Sequence, residues 1–267
     1  MSSEARVECE VTEGIAMVRL ARSNKRNAMD FAMFEALASC AASLRRNREI
    51  RAVIVSGDGE DFSSGLDIKS VGNKPKLMLR LLAKWWPGQA NLAQRAVDNW
   101  RLLPVPVIFV LHGRCWGGGM QLALGGDFRI AHPDTQLSIM ESRWGLLPDM
   151  SGLTSLRAIM PLDKAMLITM TSEVLSAEQG LDFGLVTQVH PEPMQQALEL
   201  ARELSQKSPD ALAAIKRVYQ NRWFGSRSGL MAAETWNQIK LILGGNFKRA
   251  AARNQGKEVA FRPRQKW

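Results

Sequence analysis

The chain has 267 residues, 46% of them hydrophobic and 23% charged, with 35 Lys and Arg against 26 Asp and Glu for a formal net charge of +9. That length suits one large domain, or one domain with a helical appendage, of ordinary globular composition. No apolar run approaches the roughly 18 residues that span a bilayer, and Met1–Arg6 has no apolar signal-peptide core; Cys9, Cys40 and Cys115 have neither metal spacing nor the even count of a disulfide framework, so a reducing cytoplasm is expected.

Residues 6–20 alternate apolar and polar in two runs around Glu13-Gly14, which predicts a β-hairpin. Asp30 precedes Phe31, Phe34, Leu37, Ala38 and Ala41 at helical spacing and is expected to cap a helix running to about Leu44. Arg51–Ser56 reads as a short buried strand parallel to later ones, and residues 58–70 as a loop in which Gly65 permits close backbone approach. Residues 76–103 are helical in pattern with a break at Pro87-Gly88. Their Trp85, Trp86 and Trp100 are expected in the core or along an apolar tunnel. Val107–Leu111 is an apolar strand that runs into Gly117-Gly118-Gly119, and the run from Met120 to Leu124 leaves it as a helix. Short strands are expected over 127–131, 136–139 and 185–189, and helices over 152–160, 163–171 and 177–184. From Pro193 the pattern is helical almost throughout, at about 193–206, 208–222 and 227–251. Strands alternating with helices, then a helical tail, give a layered α/β core with a C-terminal helical segment.

The excess positive charge gathers toward the C-terminus in Lys248, Arg249, Arg253, Lys257, Arg262, Arg264 and Lys266. A solvated basic surface accounts for it, as does a site for a polyanionic small molecule. No nucleic-acid reader motif accompanies the charge, so nucleic acid is not an expected partner.

The strand–glycine–helix stretch at 107–124 carries no Lys-Ser/Thr ending of a phosphate loop and no dinucleotide fingerprint in context, and no Ser or Cys sits at its apex. What remains is a supply of backbone N–H groups. One from the Gly118 region and one from Ser64-Gly65-Leu66 can polarise a single carbonyl oxygen. Glu141 follows an apolar strand, and Asp149 stands in Leu146-Leu147-Pro148-Asp149-Met150. A desolvated carboxyl has a raised pKa and serves as an acid or base near neutral pH. Structural alternatives are an ion pair of Glu141 with Arg143 or Arg129, and Asp149 as the cap of the following helix. His112, His132 and His190 are scattered without metal spacing, so no metal is expected.

Lys25-Arg26-Asn27-Ala28, Phe62 through Ile68, Pro106 through Ala123, Asp127 through Ala131, Glu141 through Asp149 and Ala177 through Leu185 occur in this order along the chain. Taken together they resemble the crotonase (enoyl-CoA hydratase/isomerase) superfamily across nearly the whole length. The resemblance implies an α/β fold, a spiral of ββα units over 1–192 followed by a helical trimerisation region over 193–267, assembled as a trimer or dimer of trimers. It implies a coenzyme A thioester as substrate, with no other cofactor. It places the oxyanion hole at the Leu66 and Gly118 N–H groups, and the substrate and coenzyme A contacts at Lys25, Arg26, Ala28, Ser64, Gly65, Asp67, Ile68 and Gln121.

Two positions depart from the hydratase pattern of the family. Gln121 stands where hydratases have a first glutamate, and an amide does not exchange protons as a carboxylate does. Glu141 falls on the second glutamate. Asp149, eight positions on, resembles the acid of the dienoyl-CoA isomerases, although those enzymes also carry an aspartate at the position of Gln121. The expected activity is double-bond isomerisation of an unsaturated acyl-CoA, with Glu141 and Asp149 moving protons. The alternatives are hydration by the same two acids and a coenzyme A thioester-binding protein that has lost its activity.

Overall fold

The computed structural model describes residues 5–72 and 74–267. β1 (Val7–Thr12) and β2 (Ile15–Leu20) form the expected antiparallel hairpin, in register from Val7 opposite Leu20 to Thr12 opposite Ile15. α1 (Phe31–Arg46) starts where Asp30 Oδ1 accepts the Met33 N–H at 2.9 Å. β3 (Ala52–Gly57) then lies parallel to β2.

A repeat follows in which the chain lays one segment into each of two sheets before turning into helix. After β3, Ser63 bridges to Cys115, and the chain continues through α2 (Pro75–Leu82) and α3 (Leu92–Arg101). β4 (Val107–Leu111) joins the large sheet, β5 (Arg114–Trp116) the small one, and α4 (Gly118–Ala123) closes the unit. β6 (Phe128–Ala131) and β7 (Gln136–Ser138) repeat the pattern before α5 (Gly152–Ile159) and α6 (Leu162–Thr171). β8 (Leu175–Ser176), α7 (Ala177–Asp182) and β9 (Gln188–Val189) complete it. The large sheet runs β1-β2-β3-β4-β6-β9, parallel beyond the hairpin, and the small sheet runs β5-β7-β8. This is the crotonase spiral of ββα units.

Both faces of the large sheet are covered, as parallel strands require. Val53, Val55, Val107 and Phe109 pack with α1 and α3 in the main core, around the buried Phe34, Leu37 and Trp100. Ile54, Ile108, Val110 and Ile130 point the other way, onto Ala197 and Ala201. Those two alanines belong to α8 (Pro193–Ser205). Within 193–267, α8 thus packs directly on the large sheet. α8 is the second layer of the core, because the alternate side chains of four strands need an apolar helix over them. α9 (Pro209–Arg222), α10 (Arg227–Leu243) and α11 (Gly245–Asn254) form the remainder, and the single helix expected over 227–251 divides at Gly244.

Trp100 is fully buried, whereas Trp85 and Trp86 are 92% and 75% exposed. The α2–α3 connection, broader than the Pro87-Gly88 break, carries them out of the core. The strands at 114–116 and 175–176 had no periodic signal. Each is two or three residues long, too short to show alternation. Among the described residues no helix is long and apolar enough to cross a membrane.

Candidate active site

The loop after β3 is fastened before it reaches the site. Asn27 is buried with φ 51, a left-handed conformation that Asn tolerates. Its Nδ2 donates to the Asp58 and Asp61 carbonyls at 2.8 Å each, and its Oδ1 accepts from Arg22 N at 2.9 Å. Met29 N donates to Gly65 O and Asp67 N to Met29 O, so the two segments run side by side. The Asp67 carboxylate, expected to contact substrate, is committed within the loop: Oδ2 accepts from Arg22 Nη1 at 2.8 Å and Oδ1 from Ser70 N at 3.0 Å. Burial pushes its pKa up, but these donors outweigh it and hold the carboxyl below the ordinary value.

Two glycines let this loop meet the start of α4. Gly65 has φ +88, and a Cβ there would stand 2.8 Å from the Trp116 carbonyl oxygen. A Cβ on Gly119 would stand 2.7 Å from that of Ser63. The approach brings two amides together: the Gly118 nitrogen is 3.3 Å from the Cβ position of Gly65, and the Leu66 nitrogen 3.7 Å from that of Gly118. Neither N–H donates to a backbone carbonyl among the described residues. Met29 and Met150 sulfurs each lie 3.2 Å from the Cβ position of Gly118.

Glu141 opens a 3-10 turn (Glu141–Trp144) after β7. Its Oε1 lies 3.7 Å from the Cβ position of Gly117 and accepts from Gln121 Nε2 at 2.6 Å. Its Oε2 is buried with no protein hydrogen-bond partner. Burial drives the Glu141 pKa up, the Gln121 bond opposes this, and the Asp149 charge adds to the rise. No salt bridge to Arg143 or Arg129 forms. Arg129 instead donates to the Leu185 and Gly126 carbonyls. Asp149 stands between the buried Pro148 and Met150. It remains open to solvent in the single chain, and the surrounding protein still pushes its pKa upward by desolvation. It is not the cap of α5. That place belongs to Ser151, with φ 66 and no side-chain cap bond.

Gln121 joins the two acids. While Nε2 holds Glu141, its Oε1 accepts from Met150 N at 2.9 Å, one residue beyond Asp149. Arg101, which no sequence motif singled out, braces the same loop by donating to Ser151 O at 3.1 Å and Ser155 Oγ at 2.8 Å. The structure thus gathers Leu66, Gly118, Gln121, Glu141 and Asp149. Lys25 and Arg26 lie outside that group, exposed on a 3-10 turn (Ser23–Lys25) and its cap, and Arg26 O accepts from Ser64 N at 2.9 Å. Ala28 and Ile68 are half-buried beside them. A cavity of ≈ 530 Å³ lies elsewhere, against α5 and α9; Arg101 and Ser155 line it, but Leu66, Gly118, Gln121, Glu141 and Asp149 do not.

Residues 10–242 match the family described as enoyl-CoA hydratase/isomerase. The chain belongs to that family. It is 32% identical over 201 residues to the carnitinyl-CoA dehydratase of Salmonella typhi, covering 73% of each chain. It is 28% identical over 253 residues to the mitochondrial Δ(3,5)-Δ(2,4)-dienoyl-CoA isomerase of Homo sapiens, covering 91% of this chain and 76% of that one. Among solved structures, an enoyl-CoA hydratase from Polaromonas sp. JS666 superposes with a TM-score of 0.85 at 25% identity, covering 96% of this chain and 99% of the other. The protein is an acyl-CoA enzyme of the hydratase/isomerase family, and its relatives carry both kinds of name.

Proposed function

We propose that the enzyme shifts the double bonds of an unsaturated acyl-CoA, with 3,5-dienoyl-CoA as the fitting substrate type. The observation that carries this reading is the buried Glu141 carboxyl, which feels the charge of Asp149 and packs against Gly117, next to two unpaired N–H groups. The thioester oxygen accepts from Leu66 N and Gly118 N, which stabilise an enolate; one such donor contributes about 3 kcal/mol of barrier lowering. Glu141, packed against Gly117, takes a proton from the carbon next to the thioester. The electron pair moves along the conjugated chain, and protonated Asp149 returns a proton at its far end. The product is the 2,4-diene, with Glu141 protonated and Asp149 ionised. Both reset through solvent, to which Asp149 is open.

Lys25, Arg26, Ala28, Ser64 and Ile68 border the entry of the coenzyme A moiety, which arrives as part of the substrate and is the sole cofactor required. The relative named dienoyl-CoA isomerase supports this reading. The solvent-open Asp149 favours a second one, water addition to a 2-enoyl-CoA. Purified enzyme incubated with each thioester separates them by absorbance. Conversion of the diene with a slow or absent loss of the 2-enoyl chromophore is expected, and the reverse pattern overturns the isomerase reading.

The same proposal includes assembly as a trimer or dimer of trimers. Tyr219, Trp223, Phe224, Trp236 and Leu243 are exposed along the α9–α10 region. Exposed aromatics of this density suit a subunit interface. Light scattering coupled to size exclusion is expected to give a mass three or six times that of the chain, and a monomer removes the assembly from the proposal.

A further inference from the structure

Gln121 is buried in α4, and both ends of its amide are engaged by the protein, with Glu141 Oε1 on one side and Met150 N on the other. Its stem also fills the space beside Gly152, where a Cβ would lie 2.9 Å from Gln121 Cγ. A group tied in this way is not poised to bind substrate. We propose that Gln121 is a positioning residue: it selects Oε2 as the reacting oxygen of Glu141 and holds the Glu141 and Asp149 segments in register, which favours moving a proton along the acyl chain over adding water. The inference rests on the isomerase reading and adds to it what sets the outcome.

Three physical points carry it. A carboxylate turns about its last torsion in a broad, roughly two-fold well, so a single strong donor on Oε1 decides which oxygen faces the reaction space. The remaining oxygen, Oε2, is buried and unpartnered by protein. Water addition needs a group beside the attacking water to take its proton, and an amide does not do this. The bond to Met150 N, finally, anchors the backbone adjoining Asp149 to the same amide that anchors Glu141. One side chain therefore ties together the segments of the group that takes a proton and the group that gives one.

The test compares wild type with Gln121→Met, which keeps the length and loses both bonds, and with Gln121→Glu. The Glu141 carboxyl is titrated by carbon-13 NMR, assigned by its disappearance in Glu141→Gln. Kinetic constants are measured with a 3,5-dienoyl-CoA. In Gln121→Met the donor to the ionised form is gone. Glu141 is expected to titrate at least about one unit higher, the acid limb of kcat is expected to move with it, and kcat to fall on the order of 100-fold with KM little changed. In Gln121→Glu two carboxyls share one proton, and the singly protonated pair restores the donor. Activity is expected to return over a pH window that closes when the shared proton leaves, and water addition to a 2-enoyl-CoA to rise relative to isomerisation.

An unshifted Glu141 titration in folded Gln121→Met overturns the proposal. So does a rise in KM with kcat and the Glu141 titration unchanged, which assigns Gln121 to substrate binding. The NMR arm needs no substrate. A wild type that leaves the diene untouched while Glu141 still shifts defeats the isomerase reading and the outcome assigned to Gln121, but leaves its hold on Glu141 standing.

Discussion

At the scale of single residues, Glu141 and Asp149 stand in surroundings whose desolvation raises both carboxyls above their ordinary pKa. Glu141 carries the larger consequence, because its charge is buried with one oxygen unpartnered. Its folded pKa lies above that of the unfolded chain. The stability this group contributes is therefore full below the unfolded pKa and is lost as pH rises through the folded one. Glu141→Gln removes that loss. It is expected to abolish turnover yet raise the thermal midpoint at pH 8, with the difference vanishing near pH about 4, where wild-type Glu141 is protonated. Calorimetry at the two pH values checks the sign. Asp149→Asn removes a proton donor without touching the amide pair or Gln121. A fall in kcat on the order of 100- to 10,000-fold is expected, with KM nearly unchanged. If wild-type kcat follows a bell-shaped pH profile, the alkaline limb should disappear in any residual activity, because the protonated acid is the group that limb reports.

The elements matter here for how closely they approach. The loop from β3 and the start of α4 approach each other this closely only because Gly65 and Gly119 lack a Cβ. Gly65→Ala forces a side chain into a left-handed conformation and to 2.8 Å from the Trp116 carbonyl oxygen. Denaturant unfolding is expected to show a loss of about 1–3 kcal/mol. The surviving enzyme is expected to lose kcat more than affinity as Leu66 N and Gly118 N separate. Glycine at 65 and at 117–119 was visible in the chain as a signal for tight approach. The pairing of the 64–66 loop with the Gly118 region was expected as well, but the individual contacts, such as Ser63 against Gly119, were not, since these residues stand far apart in sequence. Local signals served the helix starts better. Asp30 and Ser176 both cap as their neighbours imply, because capping is decided within three residues.

For the whole molecule, α9 is bound to the core by a buried charge. Lys216 Nζ donates to Asp127 Oδ2 at 2.6 Å and to the Val105 carbonyl at 2.9 Å, and Asp127 Oδ2 also accepts from Val107 N at 2.8 Å. Lys216→Met leaves Asp127 without its counter-charge and frees the Val105 carbonyl. A loss of about 3–5 kcal/mol is expected by urea denaturation, the range for breaking one side of a buried pair. Asp210 does similar work near the C-terminus, accepting from Asn246 Nδ2 and from the backbone and side chain of Gln265. Part of the basic excess there is structural. Arg264 is buried, and its guanidinium donates to the Asn47 carbonyl at 3.2 Å.

By itself the sequence determined the hairpin, the caps, the apolar parallel strands and the residue types of the site, because these follow from periodicity and short-range chemistry. The spacing of Glu141 and Asp149 was equally plain, and the resemblance to the crotonase superfamily implied an absent acid at Gln121. Tertiary structure alone decided that α8 closes the core and that Asp67 is held within its loop by Arg22. It also left Trp85 and Trp86 exposed, and turned Gln121 from a lost acid into a brace between two others. Those outcomes depend on contacts between residues distant along the chain, where burial and hydrogen-bond geometry, not local pattern, set the energy.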